Sequence, residues 1–300
     1  MDFLTELEKF MVQNGIFING KVNIHSTKFQ RFRGANNSTR GKDLFVKILG
    51  DCEGATFGDW HDQSTWRTWW MYDWNKLTTV EKVARQKRMD EYRTQELQER
   101  YDASQRARRE WANAKSPESN HPYLLKKKIN NPHALRQIED KLVCPVYGND
   151  GELISIQYIT DTGFKYYEPG TSPRGGWMII GNELDSNCFI CEGYATGNTI
   201  YEARGQSVLV AFTAYNLLNI ADRFVRKYRN TVFYICGDND QSLKENVGFE
   251  CAKETAMLTG AMLIIPKFEH LIFAGKATDF NDLLLISNMD EVKNQLYGKK

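Results

Sequence analysis

Three acids stand where the chain leaves an apolar run. Glu192 closes the stretch from Asn187 to Cys191, and Asp238 and Asp240 follow Thr231 to Cys236 across Gly237. Carboxylates gathered at one place repel each other unless a cation lies among them, and an all-oxygen ligand set suits Mg2+ or Mn2+. Asp238 and Asp240 are two residues apart, so in extended backbone their side chains project the same way. The run Gly-Asp-Asn-Asp is also ordinary turn chemistry after a strand, and the spacing alone leaves both readings open.

The hydrophobic pattern supplies the elements that must position these acids. A third apolar run, Ser207 to Phe212, lies between the other two, and helical patterns separate all three, giving strand, helix, strand, helix, strand. That alternation predicts an α/β domain, a Rossmann-like and mainly parallel sheet with helices on both faces. Ligands of open parallel sheets bind outside the carboxyl ends of the strands, where all three acids fall. One helix is expected from Asn198 to Arg204, closed by Gly205. Another turns Leu217, Ile220, Phe224 and Tyr228 toward the core, and a third is marked by Phe249, Ala252 and Ala256. Ala261 to Ile265 is expected as a further short buried strand, and Asp279 as the N-cap of a last helical run.

Glu-Gly after one strand, then Asp-x-Asp after a strand two helices later, resembles the Toprim domain shared by DnaG-type primases, topoisomerases and certain nucleases. The surrounding wording, CEGYATGNTIYEA, VLVAFTAYNL, CGDND, NVGFECAKETA and TDFNDLL, is similar to that of primases encoded by phages and conjugative plasmids. The similarity continues upstream into LVCPVYGNDGELISIQYI and FKYYEPG. The resemblance implies a DnaG-like DNA primase, a DNA-directed RNA polymerase and nucleotidyltransferase that makes short RNA primers on single-stranded DNA during phage or plasmid DNA replication. It implies Glu192, Asp238 and Asp240 as catalytic residues and ligands of Mg2+ or Mn2+, with Glu192 as ligand or proton acceptor. It also implies Asp279 or Asp282 as a further ligand, nucleoside triphosphates as substrates, and a separate replicative helicase as partner. Thr196 departs from the pattern, since many Toprim proteins carry an acid four residues after the glutamate; it counts here as a subfamily trait. Two alternatives share the fold: a Toprim nuclease in which the same acids activate water, and a non-catalytic DNA-binding replication accessory. The upstream neighbour argues against the nuclease, and a topoisomerase would have no room for its strand-passage domains.

On this reading residues 187–300 are the Toprim domain and residues 118–186 a small mixed primase subdomain beside it. Asn149-Asp150-Gly151 and Asp161-Thr162-Gly163 mark turns between strands there. The resemblance places basic substrate contacts at Lys165 and Arg174 and a polar one at Gln157, with Lys126, Lys127 and Lys128 as further candidates. Cations of this kind suit phosphates, although exposed turn cations look the same.

Residues 79–117 are charged and helix-friendly with a sparse apolar stripe, which predicts a helical connector ended by SPESNHP. Arg106, Arg108 and Arg109 near its end are either phosphate contacts or a solvated face. Residues 1–78 read as a small β-rich domain, with strands expected in IFINGKVNIH, KFQRFR, DLFVKILG and ATFGDWH and a turn at residues 34–37. Here Lys28, Arg31 and Arg33 alternate with Phe29 and Phe32, and Trp60, Trp66, Trp69, Trp70 and Trp74 follow. Such rings fill a small core or stack on bases, and the sequence permits either.

No zinc is expected at this end. Cys52, His25 and His61 lack CxxC partners, and the CxxC of Cys188 and Cys191 sits in a strand, which sends its two side chains to opposite faces. The six cysteines read as reduced thiols. The fragment from Gly34 to Asp43 has the wrong spacing for a phosphate loop, so no fused helicase is expected. The net charge is +1 over 300 residues, so any nucleic-acid contact must come from local patches. No leader and no membrane-spanning run is apparent, which predicts a cytoplasmic protein without membrane contact.

Overall fold

The computed structural model describes residues 2–297 apart from residues 27, 35–42, 51, 61, 185, 241–245, 270 and 272–275. The expected turn at residues 34–37, the glycine- and lysine-containing loop after it and His61 fall largely outside the described residues. The chain divides into two compact units, Met1–Gln98 and Glu99–Lys300.

In the first unit, Asp2 caps helix α1 (Phe3–Gln13) by accepting the Thr5 N–H. Phe3, Leu7 and Met11, spaced by four, form its buried stripe, each contributing roughly 2 kcal/mol of burial. They pack on an antiparallel sheet of β1 (Ile18–Asn19), β2 (Gln30–Gly34), β3 (Leu44–Leu49), β4 (Gly54–Asp59) and β5 (Arg67–Trp70), hydrogen-bonded in sequence order. Leu44, Val46 and Ile48 of β3 and Ala55 and Phe57 of β4 face α1 in one core. β5 is a strand the turn-rich sequence did not announce. Helix α2 (Thr79–Asn113) is one continuous run of 35 residues. It opens on a capping box, Thr78 with Glu81, in which each side chain accepts the other's N–H. Within the first unit, buried Glu53 accepts from Arg85 and Arg88 of α2.

The second unit includes the end of α2, where Ala103 and Ala107 are fully buried. Small residues let the helix approach closely, which is why its apolar stripe looked empty in the sequence. Arg106 bonds Glu168 and the Pro169 carbonyl, and Arg108 bonds the Leu153 carbonyl and pairs with Glu152. Helix α3 (Pro122–Lys126) leads to an antiparallel sheet of β6 (Arg136–Ile138), β7 (Lys141–Tyr147), β8 (Leu153–Ile159) and β9 (Lys165–Tyr167). Gly151 and Gly163, both with positive φ, make the two expected turns.

The third sheet runs β10-β12-β11-β13-β14, where β10 is Met178–Ile180, β11 Asn187–Cys191, β12 Val208–Val210, β13 Val232–Cys236 and β14 Met262–Ile264. β12, β11, β13 and β14 are parallel and β10 is antiparallel at one edge. Helices α5 (Leu217–Lys227) and α6 (Val247–Thr259) pack on one face with Cys188, Ile190 and Ile235. Helices α4 (Tyr194–Arg204), α7 (Phe280–Ile286) and α8 (Met289–Tyr297) pack on the other with Phe189, Cys191 and Cys236. The unit is a mixed α/β fold, and Cys188 and Cys191 enter opposite cores as period-2 alternation requires. One expectation fails: β14 is an edge strand, so Met262 and Leu263 are 54% and 37% exposed where a buried strand was expected.

Candidate active site

Each acid is placed by a chain exit from the parallel sheet. Glu192 follows β11 directly, and Gly193 begins α4 without a side-chain cap. The backbone N–H of Ala214, in the turn after β12, favours the ionised form of Glu192. That turn is shaped by Phe212, buried at a φ of +66° that a bulky residue rarely adopts. Asn216 secures it, its amide donating to the carbonyls of Ala211 and Gly176 and its oxygen accepting from Gly175.

The second exit, after β13, needs Gly237: a Cβ there would lie 2.4 Å from the Ala252 Cβ. Asn239 turns inward, donating its N–H to the Thr278 carbonyl and its amide to the Pro266 carbonyl. Asn246, the N-cap of α6, accepts the Asp240 N–H and donates to the Asn239 side chain. Asp238 rests against Gly248 of that helix, where a Cβ would come within 3.0 Å of its own. The two asparagines thus fix the loop that presents Asp238 and Asp240.

Electrostatics joins these acids. Burial pushes the Glu192 carboxyl up to about 7, and Asp240 and Asp279 add to the rise, while Lys165 and the Ala214 N–H oppose it. Burial holds Asp238 well above the carboxylate range, with Glu192, Asp279 and Asp240 raising it further and Lys165 again opposing. Asp240 is raised by burial and by Asp279. One oxygen of Asp238, Oδ1, is buried with no hydrogen-bond partner. Three carboxyl groups therefore share one field, and one oxygen of Asp238 has no protein donor.

Lys165 is the cation that answers them. Its Nζ lies 3.7 Å from where a Cβ on Gly193 would stand, and it lowers both Glu192 and Asp238. Gln157 is buried and donates to the Tyr167 hydroxyl at 2.8 Å. Tyr167 in turn packs edge-on against Phe212, so Gln157 reaches the site through that ring. Arg174 is exposed on the loop that Asn216 secures.

Asp279 and Asp282 have their oxygens engaged. Asp279 caps α7 by accepting the Asp282 N–H at 2.8 Å and accepts the Thr196 hydroxyl at 2.9 Å. Asp282 accepts the Thr278 N–H and pairs with Lys127 at 3.2 Å. Thr196, the departure from the Toprim pattern, is thus a donor to the acid edge. Lys128 reaches toward the Leu285 carbonyl. Sequence reasoning passed over Asn216, Asn239, Asn246 and the Ala214 N–H; the only signal was asparagine at chain exits.

Among the described residues no three His, Cys, Asp or Glu side chains are close enough to ligate one ion as they stand. The acids nevertheless fit a divalent cation, because a buried carboxylate oxygen without a donor and mutually raised carboxyls are what a cation would relieve. Asp238, Asp240 and Glu192 are the residues that would hold it.

No protein-family model matches the chain. Over 191 residues it is 29% identical to the Escherichia coli DNA primase TraC, covering 60% of this chain and 17% of that protein. A second Escherichia coli DNA primase TraC is 28% identical over 176 residues, 55% of this chain and 12% of the relative. The matched stretch is thus a small part of either relative, and the likeness to DNA primases read from the motifs is present in the sequence comparison as well. Among solved structures, the primase fragment of the bacteriophage T7 primase-helicase protein overlaps 62% of this chain and 76% of its own, at 12% identity and a TM-score of 0.42. A DnaG primase catalytic domain bound to single-stranded DNA overlaps 68% of this chain and 70% of its own, at 16% identity and a TM-score of 0.38. Both overlaps are loose.

Proposed function

We propose that the chain is a DNA primase whose catalytic part is a Toprim domain at residues 187–300, joining ribonucleotides on a single-stranded DNA template by divalent-metal-dependent nucleotidyl transfer. The observation that supports this reading is the set Glu192, Asp238 and Asp240 at neighbouring strand exits, with Lys165 acting on Glu192 and Asp238, in a chain similar in sequence to the TraC primases. Asp238 and Asp240 would hold a divalent cation, which would supply charge neutralisation and lower the pKa of the attacking 3′-hydroxyl. Glu192, its carboxyl raised by burial to about 7, would serve as a further ligand or accept the proton from that hydroxyl. Lys165 steadies the triphosphate against the charge that builds on the leaving pyrophosphate. Arg174 extends that basic rim toward template or triphosphate, Gln157 orients Tyr167, and Asp279 and Asp282 shape the acidic rim. In a phage or plasmid setting the product would serve replication in the bacterial cytoplasm, alongside a separate helicase; no described helix is long and apolar enough to cross a membrane.

The test is incubation of the chain with single-stranded DNA, labelled ribonucleotides and Mg2+ or Mn2+. Alkali-labile primers that depend on template and metal support the reading. Shortened template with no primer would assign a nuclease instead, and no product with either metal would leave a non-catalytic accessory.

A further inference from the structure

We infer that the first unit carries a site for single-stranded nucleic acid on the part of the sheet face turned away from α1 that α2 leaves open, built around Phe29, Arg33, Trp60 and Trp70; Lys47 at the centre of that face is paired with Glu96 of α2. The inner face of this sheet already has its core under α1, so the rings on the outer face are not needed to fill it. β4 reads Gly54-Ala55-Thr56-Phe57-Gly58, with Ala55 and Phe57 inward and the small residues outward. A Cβ on Gly54 would lie 2.7 Å from the Trp70 ring, and one on Gly58 would lie 2.9 Å from the Trp66 ring. Both indoles therefore lie against bare backbone, and the glycines are required by close approach.

The next strand continues the platform. Phe45 points outward yet is fully buried, covered by Phe29, Trp66 and Trp60 with ring centroids at 5.3, 4.9 and 5.6 Å. Two of the covering rings, Trp60 and Phe29, remain 38% and 44% exposed, and Trp70, over Gly54 on the same face, is 48% exposed. Register puts Arg31 opposite Phe45 and hence on this face, with its guanidinium 4.6 Å from the Trp60 ring centre. Arg33, two residues on, shares the face and is exposed. Arg31 also feels Asp43 and Asp59, so the added phosphate attraction falls mainly to Arg33 and exposed Lys28.

Exposed aromatic faces held in place by neighbouring rings, with cations between them, match bases that stack and phosphates that pair. The hydroxyls of Thr56 and Thr68, 3.2 Å apart, lie on the same face. Paired bases hide their faces, so the ligand is single-stranded. The inference does not depend on chemistry at the acids.

Fluorescence anisotropy of a labelled oligothymidylate, titrated with the full chain in EDTA, tests this without metal at the acids. Trp60→Ala with Trp70→Ala is expected to weaken binding about tenfold or more, whereas Trp60→Phe stays near wild type. Arg33→Ala should lower the salt slope by roughly one. Circular dichroism establishes that each variant is folded, and the Arg33→Ala arm decides the matter should the double variant not fold. Unchanged affinity in the double variant, an unchanged salt slope in Arg33→Ala, or equal binding of duplex would overturn the inference, as would capture of a protein partner with no affinity for the oligonucleotide.

Discussion

The two β-sheets that carry the proposed sites differ in what they leave unsatisfied. In the parallel sheet the unmet groups are charges: Glu192 and Asp238 sit half-buried at strand exits, raised by burial and by each other, and Asp238 Oδ1 has no donor. In the antiparallel sheet of the first unit the unmet groups are apolar rings laid over glycine on a solvent-facing side. A parallel sheet collects functional groups at its carboxyl ends because every strand exits there. An antiparallel sheet, whose exits alternate, offers instead a face. One deficit calls for a cation and the other for a flat π-surface.

The largest expected effect comes from removing the charge that the parallel sheet leaves unmet. Asp238→Asn should reduce primer synthesis by about a thousandfold or more, measured as ribonucleotide incorporation on single-stranded DNA, while the metal-free protein melts at the same or a higher temperature. If the residue were merely structural, activity and stability would fall together. Lys165→Ala is expected to cost on the order of a hundredfold in incorporation, with Lys165→Arg recovering part of it and KM for nucleoside triphosphate rising in the alanine variant. On the other sheet, the paired tryptophan replacement described above should change template affinity about tenfold and leave incorporation at saturating template largely intact.

The pH dependence sharpens the contrast further. The Glu192 carboxyl rises from 4.5 in the free group to about 7 in the fold. Between those values the folded chain holds a proton that the unfolded chain has lost, so metal-free stability should fall as pH rises from about 4.5 through about 7. Asp238, raised in the same direction, adds to the slope. Thermal melts across this range should show the decline, and Glu192→Gln should flatten it. Mg2+ should raise the midpoint more at high pH than at low. The smallest effect is expected at Thr196→Val, which removes the 2.9 Å bond to Asp279 and should cost about 1 kcal/mol of stability.

The sequence revealed the chain exits and concealed what holds them. Apolar runs ending in acids are visible because burial demands them, and so Glu192, Asp238 and Asp240 could be placed at strand exits, and Asp279 as a cap. Asn216, Asn239 and Asn246 were not, since asparagine in a turn looks the same whether it faces solvent or binds three backbone groups. Gln157 read as a polar substrate contact from the resemblance, and nothing in its spacing shows that Tyr167 lies across the strand pair. β14 read as buried because hydrophobicity does not distinguish an edge from a centre. The tryptophans were ambiguous for a related reason: ring exposure depends on which face of β4 carries glycine, and that follows only from register.

The central claim is that the acids form a cation site. Titration of the full chain with Mn2+ at pH 8, following the electron paramagnetic resonance signal of the free ion, measures it directly. The account predicts bound Mn2+ in the wild type, displaced by Mg2+, greatly reduced in Asp238→Asn and weakened in Glu192→Gln. Equal binding by wild type and Asp238→Asn, or none by either, would contradict it.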